Sequence, residues 1–334
     1  MAERLVSMRG LSCHFPAAEA GVKLAAVDAV DLDIYAGEIL GLVGESGSGK
    51  STLGRMLAGL QQPSAGTLRF HGESDAGRAR ISSVQMVFQD SYASLNPRRR
   101  IIDSLMEPLG VARVSTRDKL SKAAKWLERV GLSRDAGERF PHELSGGQRQ
   151  RVGIARAFIA EPRLVVCDEA VSALDVSVQA QIINLLQDIQ RDSGTAIVFI
   201  AHDLAVVRSL ADRTAVMYLG EIVELGSSAQ VFSRPLHPYT RNLLAAHPEA
   251  ELNSQGRHRR KVAPAQERRL PLSNDSGCRY APRCSLAKPF CLRTPPALAV
   301  SEAGSEVACH RLREIEQYLA SRAAKAHDDE SSIL

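Results

Sequence analysis

Apolar residues along the chain come in short unbroken runs at 39–43 (ILGLV), 164–167 (LVVC) and 196–201 (AIVFIA). Runs of this length, each closed by polar or turn residues, predict strands buried on both faces, as in a parallel sheet. Residues 24–34 read as further strand, ended by a turn at Tyr35, Ala36 and Gly37. Helical spacing takes over at 51–60, directly after the glycine-rich GESGSGK, and again at 115–139, where Leu120, Ala123, Ala124, Leu127 and Val130 share one face. Strand, loop and helix form the unit from which α/β sheets are built, and 115–139 predicts a helical insertion between sheet strands. Residues 253–274 are polar, basic and proline-containing without periodicity, a linker pattern. Residues 310–324 are amphipathic, with Leu312, Ile315 and Leu319 on one side, before an acidic, serine-rich tail.

Composition narrows the class. A length of 334 residues predicts two domains or one large one. Hydrophobic residues at 44% and charged residues at 24% exclude a disordered, collagen-like or coiled-coil chain. The balance of 42 basic against 38 acidic residues, +4, is too small to imply a nucleic-acid partner. No stretch approaches the about 20 apolar residues of a membrane span, and the start, MAERLVSMRGLSC, lacks the apolar segment of an export signal, so a cytosolic chain is expected. Six cysteines make no disulfide framework, but four of them fall between 278 and 309.

The chemistry concentrates where strands end. Gly44, Glu45, Ser46, Gly47, Ser48, Gly49, Lys50 and Ser51 fit G-x-x-x-x-G-K-[ST]. In such a loop the glycines let backbone N–H groups wrap phosphate oxygens at a helix N-terminus, the Lys reaches the β and γ phosphates, and the Ser hydroxyl meets Mg²⁺. Thr52 can add a contact to the α phosphate. Asp168, at the end of the run 164–167, is placed to hold Mg²⁺ through bound water. The adjacent Glu169 is a candidate general base for an attacking water. Ser145, Gly146 and Gly147 offer a second anion site at a helix start, although one chain has one nucleotide loop.

Leu144-Ser145-Gly146-Gly147-Gln148, lying between the phosphate loop and the acidic strand end, resembles the signature of ATP-binding cassette (ABC) ATPases. The resemblance implies a P-loop α/β cassette with a RecA-like core, an antiparallel β subdomain and a helical subdomain, which would occupy 1–240 with the helical part at about 91–155. A linker would follow at 241–274, then a cysteine segment at 275–313, then a helix and tail at 314–334. It implies ATP and Mg²⁺ as cofactors and a head-to-tail dimer with two ATP molecules at the interface. Gln89 then resembles the Q-loop glutamine, which senses Mg²⁺ and the membrane partner. Ser172 to Asp175 resembles the D-loop, and His202 the switch histidine that holds the γ phosphate and the attacking water. Phe15 is the candidate for stacking on adenine, with core packing as the other reading. Ala170 stands where the family commonly has proline.

SLNPRRR at 94–100, CDEAVSALDVSVQAQ at 167–181, FIAHDLAVV at 199–207 and PLHPYTR at 235–241 are similar to dipeptide and oligopeptide importers, in the F-type ATPase subunit. That similarity implies a D-type partner ATPase, two membrane permeases, an extracytoplasmic solute-binding protein and a place on the cytoplasmic side of the inner membrane. No residue touches solute, so nickel and other solutes stay open as cargo. An ABC ATPase acting on nucleic acid or ribosomes is the remote alternative. Cys278, Cys284, Cys291 and Cys309 supply the four thiols of a [4Fe–4S] cluster or a tetrahedral Zn²⁺, or remain unliganded. Cys13 and Cys167 read as small core residues.

Overall fold

The computed structural model describes residues 3–16, 23–72, 83–90, 94–111, 115–172, 174–246 and 276–331, with side chains to 321. In chain order its strands are β1 (Arg4–Pro16), β2 (Lys23–Tyr35), β3 (Ile39–Val43), β4 (Ala65–Phe70), β5 (Val84–Val87), β6 (Leu164–Asp168), β7 (Ala196–Ile200), β8 (Arg213–Tyr218), β9 (Glu221–Ser227), β10 (Ala299–Val300) and β11 (Glu306–Val307). The helices are α1 (Lys50–Leu57), α2 (Ile101–Met106), α3 (Thr116–Arg129), α4 (Gly146–Phe158), α5 (Val176–Ser193), α6 (Leu204–Leu210), α7 (Ser228–Ser233), α8 (Pro238–Ala245) and α9 (Leu312–Ser331).

The three apolar runs are neighbours in one sheet of order β10-β11-β9-β8-β3-β7-β6-β5. Strands β8, β3, β7, β6 and β5 run parallel, with Leu40 opposite Val198 and Val198 opposite Val166. Every residue of β3, β6 and β7 is buried, which is why these strands carry no polar alternation. One face packs on the helical residues Ile101, Leu105, Trp126, Leu127, Phe158, Ile182, Leu186 and Val207. The other packs on α1 and on a second, antiparallel sheet of order β2-β1-β4, through Met8, Leu11, Val27, Leu32, Leu53 and Met56. The alternating segment at 24–34 thus belongs to a separate sheet lying over the parallel one.

The helical insertion is α2 to α4, with α3 capped by Ser115, whose hydroxyl accepts from the Asp118 N–H. Residues 134–138, expected within one helix, form a separate 3₁₀ turn. The break follows Gly131, whose φ of 75° interrupts the α-helical backbone. Helix α8 runs to Ala245, into the first residues of the expected linker at 241–274. Residues 247–274 of that linker lie outside the described residues.

The cysteine segment adds β11 to the edge of the main sheet, with Val307 opposite Glu224. Leu236, Val307, Leu312 and Ile315 form a small core of their own beneath it. No helix is long and apolar enough to cross a membrane among the described residues.

Candidate active site

Four candidate segments leave the C-terminal ends of four adjacent parallel strands: Gln89 after β5, Asp168 and Glu169 at β6, His202 after β7, and residues 44–51 after β3. Open α/β sheets bind ligands at these ends, because successive crossovers leave a crevice there. Parallel register alone therefore brings together residues that are up to 158 positions apart, as 44 and 202 are.

The loop after β3 is confined by backbone. Gly44 has φ 153° and Gly49 φ 104°. A Cβ on Gly44 would lie 2.1 Å from the Met217 carbonyl oxygen, and one on Gly49 would lie 2.1 Å from that of Ala26. Only glycine fits either position. The Gly220 N–H donates to the Ser48 carbonyl at 2.8 Å, tying the loop to the β8–β9 turn. Lys50, 5% exposed, donates from Nζ to the carbonyls of Gly44 (2.8 Å) and Glu45 (2.9 Å) and to Ser48 Oγ (3.2 Å). Its ammonium thus sits in the mouth of the loop it would share with phosphate. Thr52 follows in the first turn of α1, and Ser46 lies on the loop before Gly47.

Ser51 donates its hydroxyl to Asp168 Oδ1 at 2.8 Å. Burial pushes the Asp168 carboxyl above its ordinary range, while the Ser51 hydrogen bond and the nearby Arg55 and Lys50 charges pull it back. A carboxylate destabilised by burial gains from a cation, and the oxygens of Ser51, Asp168 and Gln89 suit hard Mg²⁺.

Glu169 adopts φ 49°, and its N–H donates to the Ile200 carbonyl at 3.0 Å. A non-glycine residue held there is strained by about 1 kcal/mol or more, and such strain concentrates at functional sites. Gln89 Nε2 donates to Glu169 Oε2 at 2.7 Å, and His202 Nδ1 lies 3.8 Å from the same oxygen. Gln89, Glu169 and His202 are therefore one group. Ser172 Oγ donates to the Glu169 carbonyl at 3.0 Å, tying the turn before α5 to the acidic pair. Asp175 caps α5 through its backbone, and Ala173 lies outside the described residues.

The second anion site is built elsewhere. Ser145 caps α4: its hydroxyl accepts from the Gln148 N–H at 3.3 Å, and Gln148 Oε1 accepts from the Ser145 N–H at 3.0 Å. A Cβ on Gly147 would meet Val178 at 2.9 Å, and one on Gly146 would touch Leu174 at 4.0 Å, so these glycines face α5 and the turn before it. Phe15, 37% exposed, pairs with Leu24, two residues along β2 from the Ala26 carbonyl that backs Gly49.

All six cysteines are free thiols. Cys13 and Cys167 are buried as expected, and burial pushes the Cys167 thiol up to about 12. Burial also raises Cys278 and Cys284, and pushes Cys309 up to about 11. Cys309 additionally feels charge on Cys284, Cys278 and Cys291, so the four thiols share one neighbourhood. Among the described residues no three His, Cys, Asp or Glu side chains are placed to hold a metal ion.

Two contacts at the phosphate loop have no counterpart in the motif reading. The Glu45 N–H donates to the Tyr239 hydroxyl at 2.8 Å, and Arg283 forks onto the Glu45 carboxylate at 3.0 and 3.2 Å. PLHPYTR and the arginines between Cys278 and Cys284 were the available signals, but neither names its partner.

The ABC transporter family model matches residues 27–172, and the model described as oligopeptide/dipeptide transporter, C-terminal region, matches 223–291. A Brucella abortus protein named as a peptide import ATP-binding protein is 48% identical over 295 residues, 86% of each chain. One of the same name from Brucella ovis is 44% identical over 316 residues, covering 92% of this chain and 98% of the relative. Among solved structures, the dimeric post-hydrolysis ATP-binding cassette MJ0796 bound to ADP and Pi superposes with a TM-score of 0.61 at 26% identity, over 67% of this chain and 99% of that one. Clostridium perfringens cbiO1, part of the ABC transporter complex cbiONQ, gives 0.61 at 25% identity, over 70% and 92%. The chain belongs to the ABC transporter family, as an ATP-hydrolysing cassette that carries the oligopeptide/dipeptide transporter C-terminal region.

Proposed function

We propose that this chain powers a peptide importer by closing head to tail on a second, D-type ATPase subunit around two MgATP. The observation that carries the reading is the separation of two anion sites: the loop 44–51 lies among the parallel strand ends, while Ser145 and Gly147 cap α4 against α5 and the D-loop. A second copy of the arrangement, facing the first, gives each nucleotide both sites. MJ0796 is solved as a dimer, which supports the same geometry.

In this reading the loop N–H groups and Lys50 bind the triphosphate, and Phe15 stacks on the base. Ser51, Gln89 and Asp168 would hold Mg²⁺, which would supply neutralisation of the charge developing on the phosphates. Glu169 takes the proton of the attacking water, and Gln89 and His202, both near the same Glu169 oxygen, orient it. Asp175 and Gln148 complete the dimer face.

A cavity of about 510 Å³, lined by Leu60, Met86, Phe88, Glu107, Gln150 and Arg156, lies against β5, which leads to Gln89. It suits docking of a membrane permease, so that transport and nucleotide state are coupled through Gln89. The chain would then act at the cytoplasmic face of the inner membrane, fed by an extracytoplasmic binding protein. Cys278, Cys284, Cys291 and Cys309, four thiols in one neighbourhood, match in number the ligands of a structural [4Fe–4S] cluster, with Zn²⁺ as the alternative.

The test is reconstitution with both permeases, a partner ATPase and a binding protein in vesicles. ATP hydrolysis stimulated by di- or oligopeptide supports the reading. Stimulation by nickel alone changes the cargo, and high turnover by a strictly monomeric chain overturns the dimer mechanism.

A further inference from the structure

The turn between Cys278 and Cys284 is fastened to the phosphate loop by two arginines. Arg279 pairs with Asp28 of β2, donates to the Leu219 carbonyl, and lies 3.1 Å from Glu221. Leu219 precedes Gly220, whose N–H donates to Ser48 of the phosphate loop. Arg283 reaches the loop itself. Its two terminal nitrogens donate to the two oxygens of Glu45 at 3.0 and 3.2 Å, its Nη1 lies 3.4 Å from the Tyr218 hydroxyl, and its guanidinium stands 5.8 Å from the ring centres of Tyr218 and Tyr280. The pair is mostly sheltered, at 27% and 19% side-chain exposure. Tyr280 packs edge to face on Tyr218 and Tyr239, which are tilted against each other, with ring centres 4.5 to 5.5 Å apart.

Glu45 is an odd residue for a loop that receives a triphosphate, because its carboxylate adds negative charge beside the anion. Its backbone is already committed: the N–H goes to Tyr239 and the carbonyl receives Lys50. The bidentate guanidinium both cancels that charge and fixes the carboxylate through two hydrogen bonds. We propose that Arg283, supplied by the cysteine segment, is a positioning residue of the nucleotide site: by neutralising and anchoring Glu45 it sets the phosphate loop for MgATP. This rests on residues 44–51 being the nucleotide loop.

The test is MgATP binding to the full-length chain by titration calorimetry, with folding checked by circular dichroism. Arg283→Ala should raise Kd about five- to tenfold, since it removes a partly screened, charge-assisted pair. Arg283→Lys, which keeps charge but loses the fork, should fall between. In a Glu45→Gln background, adding Arg283→Ala should change Kd by less than about twofold, because the charge to be cancelled is gone. Unchanged affinity in Arg283→Ala, or an equal loss in both backgrounds, overturns the proposal, the second result meaning that Arg283 only supports the fold. Lys50→Ala in parallel separates the two claims. If it binds MgATP normally, the loop assignment fails rather than the role of Arg283.

Discussion

The parallel sheet and the segment docked on its edge position residues around the same loop by different means. In the sheet, Lys50, Gln89, Asp168, Glu169 and His202 arrive at one crevice because each directly follows or ends a buried strand in register with its neighbours. The docked segment and the β9–α8 edge it packs on depend on individual polar side chains. Glu224, fully buried, accepts from the Leu236 and His237 N–H groups at 2.8 and 2.9 Å. His237 Nδ1 accepts from the Tyr239 N–H at 3.1 Å, and its ring also bonds the Ala308 backbone next to Cys309. Apolar strands tolerate volume-conserving exchanges at under about 1.5 kcal/mol. A buried polar group that loses its partner costs about 1–3 kcal/mol. The strand framework that forms the crevice is therefore robust to apolar exchange, while the polar contacts at the edge are specific and easily uncoupled.

The sheet side of this contrast is broken most severely at Glu169. Glu169→Gln should keep MgATP binding and lower turnover of the assembled complex by about 10²–10⁴-fold, because an amide cannot accept the proton of water. It should also trap an ATP-bound dimer, visible by size-exclusion chromatography. Normal hydrolysis would remove Glu169 from the role of base.

Lys50→Ala comes next. Loss of the buried ammonium should weaken MgATP binding by about 10²-fold, the size expected when a pair of charge-assisted hydrogen bonds is removed. Nucleotide titration of the purified variant reads this directly, and wild-type affinity would contradict it.

At the β9–α8 edge on which that segment packs, His237 gives a pH dependence. Burial lowers its pKa from 6.5 to about 3, so protons bind the unfolded chain more readily than the folded one. Its stabilisation is complete above pH 6.5 and is lost as pH falls toward 3, at up to about 1.4 kcal/mol per unit. Urea unfolding should show about 2 kcal/mol less stability at pH 5 than at pH 7 from this residue. His237→Gln, which does not titrate, should flatten that slope; an unchanged slope would assign it to other groups.

The smallest expected effect sharpens the link between the two regions. Anaerobically purified protein should be brown with about four iron atoms per chain. Cys284→Ser should lose the colour and, by loosening the turn that carries Arg283, raise the Kd for MgATP only about fivefold. A single zinc, or no metal, would end the cluster assignment and leave the ATPase unaffected.

The sequence by itself determined the parallel core and the motif residues at its strand ends, since a strand buried on both faces must be continuously apolar and a phosphate loop must carry glycines at set spacings. It also marked Ser145 to Gly147 as a helix start, whereas the reciprocal Ser145–Gln148 capping box was seen only in the structure. The 115–139 helix was legible as periodicity, but not its interruption after Gly131, where a backbone angle rather than a hydrophobic repeat decides. Only the tertiary structure decided that Glu169 shares one oxygen between Gln89 and His202, and that β11 extends the sheet. It alone showed that Glu45 is held by Tyr239 and Arg283, partners 194 and 238 positions away. Such contacts are single side-chain pairings with no periodicity to announce them, and they exist only once the apolar core has brought distant segments to the same strand ends.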